Sequence, residues 1–215
     1  NDEIAPVSKE IAERCEEVGK NLESVGVNVS YAAKPDHDFL KSEINYQLLL
    51  QSVMQSGMSE EEFKKIEEIA NNLEPNDSSV EAILARGTVL SHRNWIRQNY
   101  AREQTKISWE NFFNKWDILI CPQLATTAIE HDHRKISDRT IMVDNQEQRY
   151  FQQIFWPGLA VNAHLPSTVF PTGLSRDGMP IGLQAIGGAY EDKTTIKFAE
   201  LYEQEFKAFV VPNLD

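Results

Sequence analysis

The sequence contains little cysteine, and it lacks any long apolar run. Its two cysteines, Cys15 and Cys121, lie far apart in the 215 residues. Two free thiols in a reducing compartment are therefore favoured over a disulfide. No segment approaches the roughly 18–20 apolar residues that a membrane helix requires, so no membrane partner is expected. Residues 1–4 show no basic region followed by an apolar stretch, so we expect no signal peptide and a cytoplasmic location.

Basic residues are also scarce. The chain has 21 Lys and Arg against 33 Asp and Glu, which gives a formal net charge of -12. Binding to nucleic acid requires clustered Lys and Arg that neutralise phosphates, so this composition argues against a nucleic-acid partner. It also disfavours an anionic membrane surface. The plain interpretation of the charge is that it keeps the protein in solution.

The first part of the chain is predicted to be rich in helices. Apolar residues recur at spacings of three and four over residues 7–25, which predicts a helix that ends at Gly26. Residues 27–31 alternate between apolar and polar like a short strand. Asp38 is a predicted N-cap of a helix that extends to about residue 56. Ser59 and Glu62 have the spacing of a capping box for the next helix.

The middle of the chain carries most of the aromatic residues. Residues 78–81 have the pattern of another capping box. The sequence is then typical of a helix as far as Trp116, with an expected break near residues 105–108. The tryptophans and other aromatic residues in this stretch are interpreted as core packing rather than as ligand contacts.

The second half predicts strands, and the whole pattern indicates an α/β fold in which a mixed β-sheet is flanked by helices. Residues 123–139 are expected to be a polar loop. Trp156, Pro157 and Gly158 interrupt a helical pattern, which predicts a break there. The chain is treated as a single or partial domain, with a helix-strand-helix-rich part over 1–75 and a second part over 76–215. The predicted elements of the second half are strands at 117–122, 140–143, 167–170 and 181–186, and helices at 150–161 and 192–206.

Several separated motifs resemble one enzyme family. They are Leu165-Pro166, an apolar strand, Pro171-Thr172-Gly173, a turn, then Gly178-Met179-Pro180-Ile181-Gly182-Leu183-Gln184, and Asp192 at the start of the last helix. Phe113 and Trp116 followed by residues 117–122 agree. In order and spacing, these elements resemble the C-terminal signature of amidase-signature enzymes. The resemblance covers residues 80–210 well and 1–35 more loosely, and it implies the C-terminal part of the amidase-signature fold.

The resemblance also shows what this sequence does not contain. Similar enzymes use a serine nucleophile, a second serine and a lysine, in a Gly/Ser-rich segment upstream of the matched region. The nearest pieces here, at residues 56–57 and 187–188, are not Gly-Gly-Ser-type runs. Lys9 and Lys41 have solvent-facing helical patterns, so neither resembles the base. The resemblance therefore implies an amidase portion that lacks catalytic residues and is inactive alone.

Two functions remain open on the sequence. In the first, the chain is the C-terminal portion of an amidase that hydrolyses a carbon–nitrogen amide bond. Its partners are then a small amide substrate and the N-terminal catalytic portion of the same protein. In the second, the chain is a stand-alone, non-catalytic binding domain derived from such an enzyme. Either form is compatible with a homo-oligomer, and neither requires a cofactor.

Candidate substrate-pocket residues lie around the predicted helix break. A broken helix leaves backbone groups free near a ligand, which selects Trp156 and Gly158. In similar enzymes that act on glutamine, a polar recognition residue follows the equivalent of Tyr150, and that position falls near Gln152 or Gln153. Both are uncharged, which argues against a zwitterionic, glutamine-type substrate. His164 replaces a residue that is often glycine and is interpreted either as a pocket residue or as a loop histidine.

Three further features have structural interpretations beside the chemical ones. Gln184 is expected to be buried, where it either ties a loop to the sheet or contacts substrate. The pair His131 and His133 could bind a metal, but a third ligand is missing, so a polar loop is favoured and no metal is expected. Ser91-His92 suggests a hydrolytic triad, but no nucleophile elbow accompanies it.

Overall fold

The computed structural model describes residues 3–135 and 138–212, which form two compact units. The first unit comprises the residues up to 35 and from 110 onward, and the second comprises residues 36–109. The division of the chain at residue 75 stays a prediction. The elements in chain order are α1 (Lys9–Ser24), α2 (Phe39–Met54), α3 (Glu60–Asn71), α4 (Val80–Thr88), α5 (His92–Phe113), β1 (Leu119–Pro122), β2 (Thr140–Val143), β3 (Gln146–Arg149), a 3₁₀ helix (Tyr150–Ile154), α6 (Phe155–Ala163), β4 (Ser167–Leu174), β5 (Pro180–Ile186) and α7 (Asp192–Phe206).

An antiparallel sheet of order β1-β5-β4 forms the centre of the first unit. Paired residues across an antiparallel ladder share a face, so Phe170 and Leu183, which are partners, point to the same side. Helix α7 packs on β4, and the ring of Phe170 lies 5.2 Å from that of Phe198 and 4.9 Å from that of Tyr202. These buried edge-to-face contacts form the core on this side of the sheet.

Helix α1 also packs against the first unit's sheet, next to β1. The hydroxyl of Ser8 caps it by accepting a hydrogen bond from the Ile11 amide. On β4, the pairing with β5 shifts between Pro171 and Leu174, which is the signature of a bulge. The guanidinium of Arg14 donates to the carbonyls of Thr172 and Leu174 and so satisfies backbone groups at this irregular point.

The second unit is helical. Helix α4 packs closely on α2, because Gly87 has no side chain: a Cβ at this position would lie 2.8 Å from Cβ of Gln51 and 3.2 Å from the backbone of Leu48. The amide nitrogen of Asn45, on α2, donates to the backbone carbonyl of Gln98 on α5 at 2.8 Å. This unit therefore depends on close helix contacts and on a buried polar tie.

The α/β class predicted from the sequence is confirmed, and the strand pairs of the described residues are antiparallel. The capping box at Ser59 and the N-cap at Asp38 are also confirmed. The capping box expected at residues 78–81 is wrong by one residue, because the N-cap of α4 is Ser79. Helix α7 begins at Asp192, and its N-cap is Glu191. Residues 123–135 are irregular, as expected for the predicted loop, whose positions 136–137 lie outside the described residues. No helix in the described ranges has the length and hydropathy to cross a membrane.

Three further sequence predictions are wrong. Residues 27–31 form no strand. Helix α5 runs without a break through residues 105–108, and the interruption lies just before it, between Thr88 and His92. Helix α6 is not broken at residues 156–158. Pro157 is its third residue, in the first turn, where the amide that proline lacks would have no partner inside the helix.

Candidate functional site

The candidate pocket residues lie on one short segment of the first unit. Gln152 and Gln153 belong to the 3₁₀ helix, and Trp156 and Gly158 belong to the first half of α6. The structure therefore places these four residues on consecutive turns. Gln153, Trp156 and Gly158 are buried and Gln152 is half-buried. His164 is exposed and stands apart as the C-cap of α6, in a left-handed conformation with φ 55°.

Two of these residues bind the chain itself, through consecutive backbone carbonyls near its N-terminus. Gln152 and Trp156 each donate a hydrogen bond to one of these carbonyls. Gln148 on β3, which the sequence did not identify as a site residue, does the same. We call these three side chains the carbonyl clamp. Its bonds run from Gln152 Nε2 to the Ile4 oxygen at 2.7 Å, from Trp156 Nε1 to the Ala5 oxygen at 3.1 Å, and from Gln148 Nε2 to the Pro6 oxygen at 3.0 Å.

The clamp limits what its members can offer to a ligand. The indole nitrogen is the only polar atom of the Trp156 side chain, and it already donates to the carbonyl of Ala5. The ring of Trp156 also meets Phe155 edge to face, with centroids 5.2 Å apart. Trp156 can therefore present only apolar ring surface to a ligand. Likewise, the amide nitrogen of Gln152 donates to Ile4.

Gln184 connects this segment to the sheet. Its side chain is 1% exposed, so every polar atom on it needs a partner inside the protein. Its amide nitrogen donates to the carbonyls of Pro122, at 3.0 Å, and Trp156, at 2.7 Å. Its amide oxygen accepts from the hydroxyl of Ser167 at 3.0 Å. Gln184 thus ties β1, α6 and β4 together, which corresponds to the structural one of the two roles that the sequence left open.

The two cysteines are free and unsuited to nucleophilic catalysis. Burial raises the pKa of Cys15 to about 11. Burial also raises the pKa of Cys121, on β1, more strongly. Since the thiolate is the reactive form, both side chains remain protonated thiols near neutral pH. The sequence interpretation of two free thiols agrees with this geometry.

The His131-Asp132-His133 segment is arranged as a loop stabilised by an ion pair. The carboxylate of Asp132 accepts hydrogen bonds from Arg134 Nε and Nη2, at 2.7–3.1 Å, and from the Arg134 backbone amide at 2.9 Å. These bonds lower the pKa of Asp132 to about 2. The carboxylate of Asp132 is thus already paired with the guanidinium of Arg134. Over residues 3–135 and 138–212, no group of three His, Cys, Asp or Glu side chains could hold a metal ion.

A surface cleft of about 260 Å³ lies between α1 and the β4–β5 connection. Its charges pair with one another: Arg176 Nη2 lies 2.7 Å from Glu13 Oε2, and Arg14 Nε lies 3.1 Å from Glu17 Oε2. The backbone amide of Arg176 also donates to Glu10 at 2.7 Å. The cleft therefore ties the hairpin to α1, and its charged groups are already satisfied.

Comparison with known proteins gives consistent relatives. The Amidase family model matches residues 1–196. A glutamyl-tRNA(Gln) amidotransferase subunit from Brevibacillus brevis is 32% identical over 97 residues, which are 45% of this chain and 18% of that protein. The solved structure of the corresponding protein from Thermotoga maritima matches with a TM-score of 0.67 and 19% identity over 97% of this chain and 43% of that one. A bacterial aryl acylamidase of the amidase signature family matches with a TM-score of 0.65 and 15% identity over 94% of this chain and 41% of that one.

These relatives are longer than the matched region. The alignment covers about a fifth of the Brevibacillus protein, and the chain corresponds to about two fifths of the two solved chains. The structural likeness supports the fold, and the family model extends over most of the sequence. The chain therefore belongs to the amidase family, the amidase-signature enzymes.

Proposed function

We propose that this chain is the C-terminal portion of an amidase that hydrolyses a carbon–nitrogen amide bond. In this portion the chain supplies the scaffold and walls of the substrate pocket. The observation that carries the proposal is the family match over residues 1–196, in a sequence without a Gly-Gly-Ser-type run. The parent protein is then an enzyme, and the 215 residues by themselves hold no catalytic residue.

The proposed division of labour follows from the chemistry. Amide hydrolysis by a serine enzyme requires an activated hydroxyl and donors that stabilise the oxyanion. We assign the serine nucleophile, the bridging serine and the lysine to the N-terminal catalytic portion of the same protein. A pocket wall must hold its geometry while the substrate reacts. The Gln184 tie supports that role, because it joins α6 directly to β1 and β4.

The candidate pocket residues remain part of the proposal. Gln153 and Gly158 supply buried surface on the 3₁₀ helix and α6. The side-chain nitrogens of Trp156 and Gln152 donate to the backbone carbonyls of Ala5 and Ile4. In the pocket wall, Trp156 would therefore contribute ring surface and Gln152 its amide oxygen. His164 is the exposed member. A wall of this kind, with uncharged glutamines, suits a small neutral amide better than a zwitterion.

The substrate is proposed only as a small amide. The names of the relatives include an aryl acylamidase as well as part of an amidotransferase, so the family accommodates different acyl and amine groups. We further propose a cytoplasmic location, no cofactor, and contact with the catalytic portion of the same protein. A homo-oligomer is compatible with this assignment.

The test compares two proteins. One is the 215-residue chain alone, and the other is the same chain expressed with its native upstream sequence. Both are incubated with a panel of small aliphatic and aryl amides, and released ammonia or amine is measured. We expect turnover only from the longer protein. Turnover by the chain alone would refute the division of labour, and an inactive longer protein would favour the non-catalytic binding domain.

A further inference from the structure

The carbonyl clamp selects one register of the N-terminal segment. Each of three consecutive carbonyls, from Ile4 to Pro6, has its own side-chain donor. Ala5 is 1% exposed, so the space around it fits a methyl group. Sliding the segment by one residue would force the larger side chain of Ile4 or the ring of Pro6 into that space. Hydrogen bonding and volume therefore favour the same register.

Residues 7–9, which follow the clamped segment, are also held in place by hydrogen bonds and burial. The amide of Ser8 donates to the carbonyl of Ala125 at 2.8 Å. The amide of Lys9 donates to the carboxylate of Asp144, in the β2–β3 turn, at 2.9 Å. Val7, between them and the clamp, is buried. The path from Ile4 to the start of α1 is thus held almost residue by residue.

Gln148 is committed to this contact. It is 8% exposed, and its amide oxygen is buried with no hydrogen-bond partner in the described structure. The residue that it binds, Pro6, has no amide hydrogen to offer that oxygen. The hydrogen bond that the Gln148 side chain makes here is therefore the one that its amide nitrogen donates to the Pro6 carbonyl. The pairing is what we expect of a side chain whose role is to hold the segment.

The clamp is also rigidly mounted. Trp156 donates to Ala5 with its ring, and its backbone carbonyl accepts from Gln184. Gln184 in turn binds the carbonyl of Pro122 at the end of β1. A continuous series of hydrogen bonds therefore runs from the sheet through α6 to the N-terminal segment, and a shift of the segment requires breaking a buried bond.

We propose that Gln148, Gln152 and Trp156 are positioning residues of the amidase. By holding Ile4–Pro6 in one register, they determine where the chain preceding Ile4 enters this unit. This inference rests on the proposed function, which assigns the nucleophile to the catalytic portion upstream. The clamp then acts on the reaction through the backbone: it aligns the catalytic portion with the pocket wall and contacts no reacting atom.

The experiment uses the full amidase with single substitutions in the clamp. Trp156→Phe removes the ring donor and keeps most of the ring, and Gln152→Met removes the amide at similar length. We expect hydrogen exchange at the amides of residues 7–9 to accelerate about tenfold. We expect kcat to fall about tenfold or more, because misaligned catalytic groups slow the chemical step. Gln148 is the clamp residue outside the proposed pocket wall, so in a Gln148→Met variant, which loses the donor to the Pro6 carbonyl, kcat should fall while KM changes less than about twofold.

Two further variants separate positioning from general destabilisation. Gln152→Lys retains a donor for the Ile4 carbonyl. Compared with Gln152→Met, it should therefore restore most of the exchange protection and most of kcat. Gln204→Met makes the same change as Gln152→Met on the exposed side of α7, where the amide binds only Glu200 in the described structure. It should change neither readout.

The outcomes distinguish the clamp from the proposed function. Faster exchange with unchanged kcat overturns the positioning role, and so does unchanged exchange in both clamp variants. A fall in kcat that Gln152→Lys does not restore also counts against it. If the unsubstituted protein hydrolyses no amide, the proposed function fails. The exchange data then still decide whether the clamp holds the segment, and unchanged protection overturns it.

Discussion

Gln184 commits its whole amide group to the fold. Each polar atom of its side chain has a partner, on Pro122, Trp156 or Ser167. Leaving a buried carbonyl without its donor costs about 1–3 kcal/mol, so this one side chain outweighs most surface interactions of the protein. Because its partners lie on three elements, it also decides how α6 sits against the sheet.

Two glycines with positive φ angles, Gly173 near the end of β4 and Gly178 in the β4–β5 connection, allow a comparison of backbone strain with and without steric crowding. Gly173 has φ 106° and Gly178 has φ 78°, a region that side chains disfavour. A Cβ on Gly173 would also lie 2.8 Å from Arg14 Nη1, whereas nothing lies within 4 Å of one on Gly178. We expect Gly178→Ala to lower the free energy of unfolding by about 1–2 kcal/mol, and Gly173→Ala to lower it further by displacing Arg14.

Urea denaturation of both variants measures this difference. Arg14 binds the carbonyls of Thr172 and Leu174, so its displacement would leave the bulge without these donors. An Arg14→Ala background should remove the extra cost of Gly173→Ala and leave that of Gly178→Ala. Equal costs for the two glycine substitutions in the unsubstituted background would show that Arg14 moves away freely.

At the residue scale, local sequence signals predicted some site features and missed others. Gly173 and Gly178 stand at the two ends of a short glycine-containing turn motif that the sequence shows directly, and both have positive φ angles. The position of Gln184 inside an apolar strand predicted that its side chain is buried, and this is confirmed. The carbonyl clamp has no such signal. Its donors lie 142–151 positions from their acceptors, and a polar strand gives no sign that Gln148 is buried.

At the element scale, the reliable predictions came from end signals. Asp38 and Ser59 cap their helices because each side-chain oxygen binds an amide three residues later, a contact that the local sequence specifies. Packing overrode the expected break at residues 105–108, where Thr105 and Trp109 are buried. Residues 27–31 alternate like a strand, but alternation alone does not provide a pairing partner.

The entry to α2 carries a titratable group whose burial should make the second unit sensitive to acid. His37 Nδ1 lies 3.2 Å from the hydroxyl of Ser108, and its Nε2 is buried with no partner in the described structure. Burial lowers the pKa of His37 below its ordinary value of 6.5, against the opposing effect of Asp38 and Asp36. The unfolded chain therefore binds a proton more readily than the folded one.

The sign of the effect follows from this difference. Stability from neutral His37 is present above the unfolded pKa of 6.5, and it is lost as the pH falls toward the lower, folded pKa. We expect the urea midpoint to drop between pH 7 and pH 5.5 by more than in a His37→Gln variant, which cannot be protonated. An NMR titration of the His37 ring should give a pKa below 6.5. A value at or above 6.5 would contradict the prediction.

At the scale of the whole molecule, the sheet of β1, β5 and β4 has an unpaired edge at each end in the part of the chain that the structure describes. Within the described residues, β1 and β4 each have a strand neighbour on one side only, β5. Unpaired strand edges offer rows of free backbone groups for pairing with another segment. The solved relatives are more than twice as long as the region that this chain matches. The open edges support the proposal that another portion of the protein packs here.

The isolated chain should therefore associate with itself, in a manner that depends on salt. Tyr190 is 98% exposed, Val211 76% and Val169, on the edge strand β4, 53%. Apolar surface of this kind favours association. The net charge of -12 opposes it, and salt weakens that repulsion, since the Debye length falls from about 30 Å at 0.01 M to about 8 Å at 0.15 M. Sedimentation velocity should show larger species at the higher salt concentration, and fewer when the chain carries its upstream sequence. A monomer under both conditions, with cooperative unfolding and no binding of a hydrophobic dye, would show that no partner surface is exposed.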